Sequence, residues 1–168
     1  MNITIKILSP QNVNDFKKIR LSALLQAPEM FGSTYTTEVT HQDIYFKNCL
    51  LNSIAFAAYH DKDIIGIAVL VRESAIRIAH KAHLASVFIE PKFQQKGIAH
   101  ILLNTVIKHA RAQRIEQILL TVVEDNMIAI NLYKKLGFQI YGTEINALKD
   151  QDKYTNEILM KLFLTKNL

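Results

Sequence analysis

Apolar residues recur along the chain with two periods, one of two residues and one near 3.6, and each change of period marks a change of element. Thr4 to Leu8 alternates apolar and polar residues until Ser9-Pro10 interrupts it, which predicts a short first strand. From Val13 to Gln26, Val13, Phe16, Ile19, Leu21, Leu24 and Leu25 fall at helical spacing, with Asn12 or Asn14 available as a cap and Pro28 beyond the end. Ala27 to Tyr35 combines turn formers with aromatics that read as exposed, the composition of a loop bordering a cleft, and a second helix is predicted from about Thr40 to Leu51. The period then shortens. Ile54 to Tyr59 and Ile64 to Val71 flank the polar His60 to Asp63 and predict a hairpin of apolar strands. A third long strand covers about Ala82 to Ile89 and stops at Glu90-Pro91. The helix after it runs to about Arg114 with Ile98, Ile101, Leu102, Thr105, Val106 and His109 toward one side. Gln117 to Val122 reads as a strand, Ala129 to Leu136 as a short helix stopped by Gly137, and Phe138 to Glu144 and Glu157 to Leu164 as two closing strands. No repeat, low-complexity segment or linker divides the chain. The order β-α-α-β-β-β-α-β-α-β-β predicts one α/β domain over residues 1–168, a mixed sheet with helices on both faces.

Composition narrows the class. With 49% hydrophobic and 21% charged residues the chain is that of a folded globular protein. Its one cysteine, Cys49, excludes an internal disulfide, fits a reducing cytoplasm, and lies in an apolar helical pattern as a small hydrophobe does. The start, Met1-Asn-Ile-Thr-Ile-Lys, lacks the pattern of a signal peptide, and the longest apolar run, Ile64 to Val71, is too short to span a bilayer, so a soluble cytoplasmic protein without a membrane partner is expected. The net charge of +5 suits an anionic partner without choosing among nucleic acid, membrane surface and a phosphorylated small molecule. Dispersed basic residues and the lack of a recognition helix argue against nucleic acid. His80 and His83 do not suggest a metal site, because residues three apart on a strand point to opposite faces and no cysteine or paired acid completes the set.

Two segments carry chemistry. Val87 to Ala99 passes from a strand through a polar loop into the first turn of a helix, where free amides and the helix dipole favour an anion and the small Gly97 and Ala99 let a diphosphate approach the backbone. The loop has neither the GK[ST] of a P-loop nor the three glycines of a dinucleotide fingerprint. In Asn126 to Phe138, Asn126 stands at a helix start, and Ala129 and Tyr133 follow on the same face.

In these segments the chain resembles the GNAT superfamily of N-acetyltransferases. The pyrophosphate motif Q/R-x-x-G-x-G/A is matched by Gln94, Gly97 and Ala99, and N-x-x-A-x-x-L-Y-x-x-x-G-F by Asn126 to Phe138 in full. The resemblance is strong from about Lys81 to Phe138 and weak over the first fifty residues, as when a shared cofactor meets a private substrate. It implies a GNAT-like domain with a mostly antiparallel sheet of about six to seven strands. It also implies transfer of an acetyl group from acetyl-CoA to a primary amine of a small molecule or peptide, with no metal. The amides of Val87, Phe88 and Ile89 would hold the pantetheine arm, and Gln94, Gln95, Lys96, Gly97, Ile98, Ala99 and His100 the pyrophosphate, with Asn126 and Tyr133 completing the cofactor contacts. Tyr133 would protonate the departing thiolate.

The general base is less determined. One branch of the family carries a glutamate where this chain has Thr121, which cannot serve, and the histone-acetylating branch carries one where this chain has His83, whose ordinary pKa of about 6.5 suits a base. His83 leads; Glu73, His80, Glu90, Glu124 and ordered water stay open. The rival function is a non-catalytic acyl-CoA sensor, against which Tyr133 argues. A homodimer through the sheet edges stays open.

Overall fold

The computed structural model describes residues 1–164. Seven strands are hydrogen-bonded in the order β1-β2-β3-β4-β5-β7-β6. They are β1 (Ile3–Ile7), β2 (Ile54–His60), β3 (Asp63–Arg72), β4 (Lys81–Ile89), β5 (Gln117–Val123), β6 (Gln139–Asp150) and β7 (Lys153–Phe163). The helices are α1 (Val13–Gln26), α2 (Tyr35–Glu38), α3 (Asp43–Asn52), α4 (Ile98–Ala112) and α5 (Met127–Lys135). The pairs β1–β2, β2–β3, β5–β7 and β6–β7 are antiparallel, and β4–β5 is parallel. The sheet is therefore mixed and mostly antiparallel, as expected.

The chain forms two compact units, one of residues 1–71 and 84–108, the other of residues 72–83 and 109 onward. In the first, β2 and β3 are buried at nearly every position, which their continuous apolar runs require, because a strand covered on both faces has no polar side to show. One face of these strands, through Ala55, Ala57, Tyr59, Ile67 and Val69, joins Phe16, Ile19 and Ala23 of α1 and Phe46 and Leu50 of α3 in one core. Phe16 and Phe46 meet edge to face at 6.3 Å. Tyr59 donates to Asp15 at 2.7 Å, so the phenol enters the core without an unpaired hydroxyl. In α4 the buried residues of this unit are Ile98, Leu102, Leu103, Val106 and Ile107, while Ile101 is 48% exposed. The stripe is rotated from the expected one, because the facing residues decide which adjacent apolar rows are covered.

In the second unit, Ile118, Leu120, Val122 and Met160 bury one face of β5 and β7. The closing hairpin is longer than predicted. β6 runs on to Asp150 and β7 begins at Lys153, with Gln151 in the left-handed region at φ 51°. Register shifts between Ile140 and Gly142 and between Glu144 and Leu148 break the alternation that marks a strand in the sequence. Gly137, at φ 97°, ends α5 as anticipated.

Candidate functional site

The loop in which the sequence predicts a phosphate cradle lies in the first unit. After β4 a turn at Pro91–Phe93 leads to Gln95 at φ 59° and Gly97 at φ 77°, and α4 begins at Ile98. Left-handed residues interspersed in a loop turn successive amides toward one side, a geometry that gathers N–H groups around an anion. Among the described residues no backbone carbonyl accepts from the amides of Gln95 to His100, the first such bond of the helix being Ile101 N–H to the Gly97 carbonyl at 3.1 Å. A Cβ added at Gly97 would meet nothing within 4 Å, so the loop stands clear on that side. The donors and the open approach fit a diphosphate.

Side chains of the loop are used differently from their backbone. Gln94 donates its Nε2 to the Ile89 carbonyl at 2.9 Å, fastening the loop to the end of β4. Lys96 reaches the Lys92 carbonyl at 2.9 Å and lies over Phe93, and His100 pairs with Asn104. Upstream, the pairing of β4 with β5 covers only Lys81, Ala82 and His83, so on that side Val87, Phe88 and Ile89 meet no strand among the described residues. Such an edge can pair with an amide-bearing arm as with another strand.

Beside this edge lies a side-chain network that the sequence reading did not identify. Ser86 sits within β4 at φ 54°, and its hydroxyl accepts from Arg20 Nη1 at 2.8 Å. Arg20 holds Glu38 with two bonds, Nε to Oε2 at 2.9 Å and Nη2 to Oε1 at 2.6 Å, and stacks over Phe31. Glu38 is 2% exposed, the one buried charged side chain among the described residues. Burial would raise its pKa, but the hydrogen bonds and charge of Arg20 outweigh this and hold it below the usual carboxylate range. The aromatic Phe31, expected at an exposed loop, is instead half-buried against the core. Thr34, which caps α2 through its side chain, is the local signal that could have placed Glu38 on a helix.

The second unit carries Asn126, Tyr133 and His83. Asn126 accepts from Ala129 N–H at 3.2 Å and caps α5. Tyr133, 6% exposed, packs on Phe138 with ring centroids 5.7 Å apart, and burial raises its hydroxyl well above the usual phenol range. His83 is half exposed, and its Nε2 lies 2.8 Å from Glu73 Oε1. A carboxylate only accepts, so the proton is on Nε2 and a neutral His83 keeps its lone pair on Nδ1. Thr121 hydrogen-bonds Glu157, a residue the sequence reading passed over; burial first and the neighbouring Glu144 second raise Glu157 above the usual carboxylate range. Glu157 stands directly opposite both Val123 and Glu144, a pairing that no local pattern announces. No group of three or more His, Cys, Asp or Glu among the described residues is placed to hold a metal ion, and no helix among them is long and apolar enough to cross a membrane.

Comparison with known proteins follows the same lines. An L-amino acid N-acetyltransferase of Escherichia coli (strain K12) is 32% identical over 84 residues, 49% of this chain, so that the chain spans about half (51%) of that relative's length. A spermidine N(1)-acetyltransferase of the same organism is 27% identical over 135 residues, 79% of this chain and 71% of the relative. A putative acetyltransferase from Salmonella typhimurium, solved with its cofactor acetyl-CoA, superimposes with a TM-score of 0.84 at 18% identity, covering 100% of this chain and 97% of that one. The family described as Acetyltransferase (GNAT) matches residues 21–138, and the chain belongs to that family.

Proposed function

We propose that this protein transfers an acetyl group from acetyl-CoA to a primary amine. The observation that carries the reading is the run of uncommitted amides from Gln95 to His100 around the open Gly97, a cradle for the diphosphate of coenzyme A. Val87, Phe88 and Ile89 offer the strand edge for the pantetheine arm. The amine nitrogen attacks the thioester carbonyl, a C–N bond forms, the C–S bond breaks, and sulfur leaves as a thiolate. Tyr133 gives that thiolate its proton. Its burial keeps the phenol protonated at neutral pH, and a thiolate released in equally dry surroundings is penalised by the same desolvation, which brings donor and acceptor toward balance. The amine loses its proton to Nδ1 of His83, whose ring Glu73 holds in the required tautomer. The relatives that acetylate an amino acid and spermidine support an amine acceptor.

The test is Tyr133→Phe, which keeps the ring that packs on Phe138. We expect kcat for thiol release to fall about 10²-fold, with the acetyl-CoA dissociation constant within a few-fold of wild type. Wild-type turnover in the mutant, with chemistry shown to be rate-limiting, removes Tyr133 as the acid. Acetyl-CoA binding without turnover on any amine would leave a module that only holds the cofactor. His83→Ala should slow transfer most at low pH and recover as the amine deprotonates unaided; a pH-independent deficit removes His83.

A further inference from the structure

A cavity of about 280 Å³ opens in the first unit beside β4. Phe16, Phe46, Val69, Val71 and Ala85 give it apolar walls, and Cys49 stands among them. We infer that this cavity receives an uncharged apolar group, such as a single ring or a branched alkyl chain, carried by the acceptor amine. The inference rests on the acetyl-transfer reading above and adds the class of acceptor to it.

Three observations lead there. The first is position. Ala85 and Ser86 directly precede Val87, so an arm whose diphosphate is held at Gln95 to His100 runs back along the strand from Ile89 to Val87 and delivers its acyl end beside the cavity wall. The second is charge. Arg20 and Glu38 line the cavity but are closed on each other through two hydrogen bonds, with Ser86 taking a third donor of the guanidinium. A second ammonium on the acceptor would have to compete with Arg20 for a buried carboxylate, and an acidic acceptor would face that carboxylate, so a charged group of either sign is worse placed than a neutral one. The third is size. At about 280 Å³ the cavity lies at the lower end of the range for small-ligand sites, about 300 to 1,000 Å³, and has room for a ring or a branched alkyl group.

Two measurements on the full chain test it. In steady-state acetylation, 2-phenylethylamine and isoamylamine should exceed spermidine and ethanolamine in kcat/KM by at least about tenfold, the scale at which a hydrophobic pocket discriminates. Ala85→Phe should raise KM for 2-phenylethylamine about tenfold or more while acetyl-CoA affinity by calorimetry stays within about twofold, and Cys49→Leu fills the cavity from α3 if Ala85→Phe does not fold. The second measurement needs no turnover. Cys49 is the chain's one cysteine, so its modification by methyl methanethiosulfonate can be followed by intact mass, at mildly alkaline pH because burial holds this thiol above the usual range. Excess 2-phenylethylamine should slow the modification and spermidine should not. Preference for spermidine in turnover, or failure of 2-phenylethylamine to protect Cys49, overturns the inference. So does protection by a longer acyl-CoA in place of the amine, which would make the cavity an acyl pocket. Protection by 2-phenylethylamine with no amine acetylated supports the cavity's chemistry and overturns the acetyl-transfer reading instead.

Discussion

Residues 87–100 and residues 13–52 belong to the same unit and offer a ligand different things. The first segment presents backbone: a strand edge, then amides gathered by left-handed residues at a helix start, while its side chains fold back, Gln94 onto Ile89 and Lys96 onto Lys92. The second presents side chains: Phe16, Arg20, Glu38, Tyr45, Phe46 and Cys49 from three helices line a cavity and hold a buried ion pair. Backbone donors are the same in every sequence, so a site made of them needs only a few small residues at fixed places. A site made of side chains can be rewritten residue by residue. The difference teaches that one half of this surface depends on few of its side chains and the other on nearly every side chain that lines it.

The comparison breaks hardest at Arg20. Arg20→Met leaves Glu38 buried without its partner and should destabilise the fold by about 3–5 kcal/mol, measured by denaturant unfolding. The double change Arg20→Met, Glu38→Leu should recover most of this, since it removes the stranded charge as well. The sign with pH follows from Glu38, whose pKa is lowered in the folded protein. Its contribution in the wild type is present above the unfolded value of about 4.3 and is lost as pH falls through the folded one, while in the single mutant burial alone raises Glu38, so the deficit should shrink as pH falls, starting above about pH 4.3. A deficit independent of pH would mean that lost packing and not the ion pair is responsible.

At the backbone cradle the expected effect is smaller and falls on binding. Gly97→Glu adds a bulky negative side chain at a left-handed position in open space. It should weaken acetyl-CoA binding by about five- to nearly a thousand-fold, about 1–4 kcal/mol between near charges in water and near a protein surface. Calorimetry that finds unchanged affinity in a folded mutant would move the diphosphate away from this loop. The smallest effect is expected in the second unit. Glu157, with its pKa raised, contributes stability that is present below the unfolded value and lost as pH rises through the folded one. Glu157→Gln should therefore stabilise slightly near neutral pH, by less than about 0.5 kcal/mol, with the gain vanishing below about pH 4.3. A large loss on this substitution would give Glu157 a structural task that its surroundings do not suggest.

Much of this was legible in the sequence where the signal is local. The bounds of α1, Val13–Gln26, follow from apolar spacing, although Asn12 turns its side chain back to Ser9 and does not cap the helix, and Gly97 and Gly137 mark positive φ where only glycine is at ease. Periodicity failed where a strand is irregular, as in β6 between Glu144 and Leu148, and where two apolar rows compete, as on α4, whose Ile101 was assigned to the covered side and is exposed.

By itself the sequence determined the order of elements apart from the short α2, the anion-favouring turn into α4 and the placement of Tyr133 on a capped helix, because each depends on residues within a turn or two of one another. Only the tertiary structure decided that Arg20 closes on Glu38 and Ser86, 18 and 66 residues away, that His83 meets Glu73, and that Thr121 meets Glu157. Those partners are chosen by strand register and helix packing. No spacing along the chain records them, since the distance that matters is through space, and for Arg20 and Glu38 the energy that selects it is the cost of burying a charge unpaired.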